Sequence, residues 1–364
     1  MINITLVAGA RPNFMKIAPI VHAVQARQKA GQQIFYRLVH TGQHYDKKMS
    51  GDFFEQLNIP EPDANLGGGG GTQAEQTAAI MVAFEKELMT NRPDLVIVVG
   101  DVTSTLACSI AAKKLVIEVA HVEGGIRSGD LSMPEEINRM VTDSITDHFF
   151  TTSEIANNNL RKLGVPESSI HFVGNTMIDT LMANMERFQK PQGEIFDKLQ
   201  AGQYFVMTMH RPANVDQEEK LKEMIDAIME GTQGLPVIFP VHPRTAKNLQ
   251  HLGISDPSLF MTEPLSYLEF NYLVKNAKGV ITDSGGITEE ASVMNVPCIT
   301  LRENTERAET IELGTNELVG TNPKNLKPYL DKLMRGDWKK YKGIPYWDGR
   351  SAGRIVDKII EIYG

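Results

Sequence analysis

Cysteine is nearly absent. The 364-residue chain has two, Cys108 and Cys298, each inside an apolar segment. No CxxC pair and no Cys/His ligand spacing occurs, so no structural zinc site is expected. The two thiols read as small buried hydrophobes in a reducing cytosol. A basic surplus is also missing. The formal charge is −8, which argues against a broad nucleic-acid face but leaves room for a local basic pocket around an anionic small molecule. No apolar run approaches the length of a membrane span. The opening residues MINITLVAGARPNF carry no basic leader and read as a first strand rather than a signal peptide. The run GGGGGT at 67–72 lacks the Lys-Ser/Thr of a phosphate loop and follows no strand, so it reads as a flexible loop.

What the chain does have is alternation. Short apolar runs at 2–9, 36–42, 94–101, 118–125 and 147–153 alternate with stretches of helical period such as 16–28 and 105–115. A second series follows, with strand candidates at 204–210, 236–242, 279–285 and 297–303 and helices at 218–232 and 287–295. Alternating strands and helices imply parallel sheets covered on both faces. The fold class expected is therefore α/β, with two doubly wound Rossmann-like domains: 1–172 joined by 352–364, and 173–351. Ligands of open parallel sheets bind beyond the carboxyl ends of the strands, which makes an interdomain cleft the expected site.

Polar residues gather at those strand ends. Arg11 and Lys16 follow the first strand. Asp101 tips the third, and His121 and Glu123 the fourth, with Arg127 beyond. Glu135 and Glu136 come in the next loop. In the second half the strands end in His210-Arg211, in His242 with Arg244, and in Asp283-Ser284-Gly285-Gly286. The last turn opens a helix, where free amides and the helix dipole favour an anion. Ser284 would add a hydroxyl donor, and Gly285 and Gly286 would let an oxyanion approach. The alternative is an ordinary helix cap by Asp283 or Ser284. Arginines and histidines nearby suit a diphosphate. Carboxylates do not gather to bind phosphate, so Asp101, Glu123 and Glu135 suit proton transfer instead. One of Glu135 and Glu136 is expected to do no more than pair with Arg139. Glu290, a turn into the helix, could accept hydrogen bonds from sugar hydroxyls, while Glu289 reads as a solvated helix residue.

The motifs GARPNFMK (9–16), TGQHYD (41–46), GDVTSTLA (100–107), HVEGGIRSGD (121–130), PEEINR (134–139), GNTMIDTL (174–181), HRPANV (210–215), PVHPR (240–244), DSGGITEEA (283–291) and RENTERAE (302–309) run in order through nearly the whole chain. Together they resemble the non-hydrolysing UDP-N-acetylglucosamine 2-epimerases, which have the glycosyltransferase-B fold. The resemblance implies reversible epimerisation at sugar C2. UDP would leave by anti elimination through a 2-acetamidoglucal and then add back, with no cofactor and no metal. It implies catalytic roles for Asp101, Glu123, Glu135 and His210. It implies substrate binding by Arg11, Lys16, Arg211, His242, Ser284, Gly285, Gly286 and Glu290.

A cytoplasmic homodimer acting on a UDP-sugar for polysaccharide synthesis, with no nucleic-acid or membrane partner, follows from the same resemblance. In many bacterial members a second UDP-N-acetylglucosamine binds as activator. Gln43, Glu136, Arg211 and His242 match that site, but Asp46 and the glycine run depart from it. TGQHYD and MPEEINR also fit relatives acting on UDP-2,3-diacetamido glucuronic acid. The competing readings are a glycosyltransferase of the same fold, a hydrolysing epimerase and a nucleotide-sugar sensor.

Overall fold

The computed structural model describes residues 1–42, 54, 56–241, 249, 253–254 and 256–364; for Arg11, Pro212 and Ala213 only the backbone is described. Gln43, Asp46, His242 and Arg244 lie outside the described residues. The chain forms two compact units, Met1–Ala183 with Pro345–Gly364, and Asn184–Ile344.

In the first unit the strands are β1 (Ile2–Ala8), β2 (Ile34–His40), β3 (Ala64–Asn65), β4 (Leu95–Val99), β5 (Glu118–Val122), β6 (His148–Thr151) and β7 (Ile170–Phe172). They form one parallel sheet in the order β3-β2-β1-β4-β5-β6-β7. Strands buried on both faces need unbroken apolar runs rather than alternation, and LVIVV of β4 is buried throughout. The covering helices include α1 (Arg11–Lys29), α2 (Gln73–Thr90), α3 (Thr103–Lys114), α4 (Pro134–Ile145), α5 (Glu154–Lys162) and α6 (Thr176–Asn184).

The second unit repeats the plan with β8 (Phe205–Thr208), β9 (Val237–Pro240), β10 (Leu259–Thr262), β11 (Gly279–Thr282), β12 (Cys298–Thr300) and β13 (Asn316–Leu318). Its parallel order is β10-β9-β8-β11-β12-β13. Its helices include α7 (Glu218–Gly231), α8 (Tyr267–Asn276), α9 (Gly285–Val293) and α10 (Leu326–Met334), and α11 (Ser351–Tyr363) returns to the first unit. Phe205, Met207 and Phe239 on the strands pack against Leu221, Ile225 and Ile228 of α7 and Leu330 of α10. In each sheet the strand order reverses once, between β1 and β4 and between β8 and β11. A reversal opens a crevice at the strands' carboxyl ends, where doubly wound folds bind ligands.

Two local features differ from the sequence expectation. Residues 173–183, expected in the second domain, belong to the first unit. There Thr180 Oγ1 donates to the Met15 carbonyl, and Asp179 accepts the amides of Ser351 (3.0 Å) and Ala352 (2.7 Å) at the start of α11. Residues 345–351 join the first unit with them. The glycine run is also packed in part. The Gly68 amide donates to the Thr41 carbonyl at 2.7 Å, and a Cβ on Gly68 would come within 2.9 Å of that oxygen. The strands β3, β7, β10 and β13 were not expected, because they are the edges of the two sheets and only partly buried, so no solid apolar run marks them.

Candidate active site

In the first unit the acids are set around the reversal point. The chain turns from β1 into α1 without a conventional cap. Instead Asn13 Oδ1 accepts the amides of Gly9 (3.1 Å) and Ala10 (3.0 Å), and Asn13 Nδ2 donates to the Val99 carbonyl at the end of β4 (3.1 Å). One buried amide therefore ties β1 to β4 where the crevice opens. A turn further along α1, Lys16 Nζ lies 2.8 Å from Glu123 Oε2, and the Glu123 side chain is only 3% exposed. Glu123 sits just past β5 at φ +74°. Left-handed backbone of this kind costs a non-glycine residue about 1–3 kcal/mol and concentrates at functional sites.

Helix α4 holds the other acids. Arg139 donates from Nη2 (2.7 Å) and Nε (3.1 Å) to Asp101 Oδ2, and Asn138 Nδ2 donates to the Asp101 carbonyl at 2.8 Å. Asp101 keeps 32% of its side chain open to solvent. Glu136 is buried and pairs with Arg139 while accepting the amides of Ser128 and Gly129, both at 3.0 Å. Burial opposes its charge, but those amides and Arg139 prevail and hold the carboxyl below the usual range. Glu136 is thus the member of the pair with the structural task. Glu135, half-buried in the first turn of α4, is left to face outward from that network. Below them His121, fully buried on β5, meets Asp143 Oδ1 through Nδ1 and the Gly100 carbonyl through Nε2, each at 2.7 Å.

In the second unit the residues expected to bind an anion gather at the corresponding reversal. Asp283, at the end of β11, does not cap α9. It turns to β8 and accepts the amides of His210 (3.0 Å) and Arg211 (2.9 Å) and Asn214 Nδ2 (3.0 Å), with His210 Nδ1 2.8 Å from its other oxygen. Burial works against the charge, yet His210 and the amides pull the carboxyl down to about 2. The His210 ring is oriented from one side and 62% exposed on the other. Arg211 Nε donates to the Asp283 carbonyl at 3.1 Å. Ser284 occupies the N-cap of α9, but its hydroxyl accepts no hydrogen bond from the first amides of the helix. Arg11 begins α1 and its side chain lies outside what is described, as does the whole of His242.

Gly285 has a close neighbour in this turn, and the expectation for Glu289 needs correction. A Cβ on Gly285 would lie 3.0 Å from Oε1 of Glu306, whose other oxygen, Oε2, pairs with Arg302 Nη2 at 2.6 Å. A buried ion pair therefore lies close to Gly285 and is a further reason for a small residue there. Glu289 is not solvated. It is 1% exposed and pairs with Arg307 Nε at 2.8 Å. Glu290 is also buried and accepts from Tyr267 Oη at 2.7 Å. Burial pushes its carboxyl up to about 7, against hydrogen bonds from Tyr267 and Asn271. Tyr267, Asn214, Arg302 and Arg307 had no role in the sequence expectation. For the two arginines a signal existed, since RENTERAE places charges straight after a strand.

The family model for UDP-N-acetylglucosamine 2-epimerase matches residues 26–360. The chain belongs to this family. It is 41% identical to the UDP-N-acetylglucosamine 2-epimerase of Methanocaldococcus jannaschii, over 97% of this chain and 98% of that protein. It is 34% identical to the UDP-2,3-diacetamido-2,3-dideoxy-D-glucuronate 2-epimerase of Pseudomonas aeruginosa, over 99% and 100%. Among solved structures, the M. jannaschii enzyme in complex with UDP-GlcNAc and UDP matches with a TM-score of 0.86 over the whole of both chains. The Neisseria meningitidis enzyme bound to UDP-GlcNAc matches at 0.88 with 29% identity, over 99% of this chain and all of that one. The α/β architecture expected from the sequence is thus that of the epimerase family, and the chain is an isomerase of that family. Among the described residues, no helix is long and apolar enough to cross a membrane.

Proposed function

We propose that the protein interconverts UDP-N-acetylglucosamine and UDP-N-acetylmannosamine by elimination and re-addition of UDP. The observation that carries this reading is the pair of carboxylates at the ends of adjacent strands, Asp101 after β4 and Glu123 after β5, each with its own cation, Arg139 and Lys16. A carboxylate removes the C2 proton as the C1–oxygen bond breaks, giving the glucal and UDP. A second acid returns a proton to the opposite face of C2 while a UDP oxygen re-forms the bond to C1. Glu135 and the exposed edge of His210 are the further groups available for these transfers.

The negative charge that develops on the departing diphosphate falls to the second unit. The uncapped amides of α9, the Ser284 hydroxyl and Arg211 supply donors for it. Glu290 takes the ribose hydroxyls. Arg11 and His242 belong to the same binding set, and the enzyme works as a cytosolic homodimer feeding polysaccharide synthesis.

The 34% identity to the diacetamido-glucuronate enzyme favours one second reading, the same chemistry on UDP-2,3-diacetamido glucuronic acid. An NMR time course in deuterated water tests both. UDP-N-acetylmannosamine carrying deuterium at C2 is the expected product from UDP-N-acetylglucosamine. Turnover of the diacetamido-uronic acid nucleotide alone would select the second reading, and silence with both would sink the assignment.

A further inference from the structure

The loops that carry Asp101 and Glu123 share one buried anchor. His121 Nε2 contacts the carbonyl of Gly100, the residue before Asp101, and His121 Nδ1 contacts Asp143 Oδ1, both at 2.7 Å. Asp143 Oδ2 in turn accepts the amide of Gly125, two residues past Glu123, at 3.0 Å, and lies 2.6 Å from Arg127 Nη1. Both partners of the His121 ring are acceptors, a carbonyl and a carboxylate. The clamp therefore asks for an N–H at each ring nitrogen. The side chains of His121 and Asp143 are fully buried, where a polar group left without its partner is costly. Burial opposes the Asp143 charge, but His121 and Arg127 outweigh it and keep the carboxyl below its ordinary range.

The helix completes the device. Asp143 lies one turn along α4 from Arg139, the residue that grips the Asp101 carboxylate. The same helix thus holds Asp101 directly through Arg139 and Asn138, and holds the backbone after β4 and after β5 through Asp143 and His121. A single rigid element fixes the spacing of the two carboxylates.

We propose that His121 and Asp143 form a positioning clamp that sets the mutual placement of Asp101 and Glu123, and that epimerisation requires the clamp although neither residue touches the sugar. This rests on the epimerase reading. Displacing a reacting group by about 1 Å can cost about 100-fold in rate, and the clamp's loss should fall on the chemical step and leave nucleotide binding in the second unit unchanged.

Two substitutions separate the arms. His121→Asn keeps a donor near the Nδ1 position and loses the Gly100 contact. His121→Gln keeps a donor near Nε2 and loses Asp143. In both, kcat and the C2 deuterium-exchange rate should fall by about 100-fold, with UDP affinity by calorimetry within about 3-fold of wild type. Wild-type-like kcat in either variant overturns the clamp. So does a parallel fall of kcat, UDP affinity and melting temperature, which would mark plain core support.

Should the variants fail to fold, the wild-type protein with 15N-labelled histidine decides. One ring with two slowly exchanging N–H protons supports the clamp, and a single N–H on the buried ring overturns it. A wild type that binds UDP but turns over neither substrate fails the epimerase reading; the histidine spectrum is independent of that failure.

Discussion

Replacing Glu290 by glutamine should stabilise the protein and disable it, and the two effects should have different pH dependence. The carboxyl is 4% exposed, and burial lifts it from 4.5 to about 7. A carboxyl raised in the folded state favours folding while it is neutral. Its stability contribution is therefore fully present below the unfolded value of 4.5 and is lost as pH rises through 7. A difference of about 2.5 pH units corresponds to about 3 kcal/mol at full ionisation. About 2–3 kcal/mol of that is lost between pH 5 and pH 8. Glutamine keeps the acceptor for the Tyr267 hydroxyl and cannot ionise.

Relative to wild type, Glu290→Gln should gain about 5–10 °C in melting temperature on going from pH 5 to pH 8, at about 2–4 °C per kcal/mol for a unit of this size. UDP-sugar affinity should move the other way. Losing a charged acceptor for ribose hydroxyls costs about 1.5–3 kcal/mol, or about 10- to 100-fold. Thermal melts at the two pH values and calorimetry with UDP-N-acetylglucosamine read both effects. A melting difference that does not change with pH refutes the buried, ionising carboxyl. Wild-type affinity in the variant refutes the ribose contact.

Three further outcomes are expected. Asp283→Asn takes the charge from the acceptor that the amides of His210 and Arg211 share, sets an NH2 donor in place of one carboxylate oxygen, and should cost about 2–4 kcal/mol at pH 7. Because the Asp283 carboxyl is depressed to about 2, its contribution is present above the unfolded 3.8 and lost on acidification. Urea melts should show the gap to wild type narrowing by about 1 kcal/mol between pH 5 and pH 3, and a constant gap would contradict this. Glu136→Gln should lower both melting temperature and kcat, since it frees Arg139 and the 128–129 amides. Glu135→Gln should leave stability within about 0.5 kcal/mol and lower kcat alone, so equal melting losses in the two would erase the distinction. Gly68→Ala drives a methyl toward the Thr41 carbonyl and should cost about 1–3 kcal/mol, with turnover per folded molecule unchanged in activity-normalised melts.

What was legible in the sequence is what local periodicity encodes. Solid apolar runs marked the long strands because a strand buried on both faces has no polar side to alternate with. The residues after each run marked the crevice because parallel sheets bring all strand ends to one edge. The choice between neighbouring acids was not legible, because it depends on partners far away in the chain. Glu289 and Glu290 are adjacent and chemically alike. One meets Arg307 and the other meets Tyr267, and nothing within a helical turn of either announces that. Glu135 and Glu136 divide in the same way through Ser128, Gly129 and Arg139. Gly285 is the sharpest case. A glycine at a helix start suggests an approaching ligand, and nothing near it in sequence announces that Glu306, twenty-one residues on, also crowds the position. Position along a strand or helix told where chemistry could happen. Within each adjacent pair of glutamates, one is claimed by a buried arginine, Glu136 by Arg139 and Glu289 by Arg307, and the other is left to different partners. In a family site built from several carboxylates, the pairing of the unreactive ones is therefore part of what defines the reactive ones.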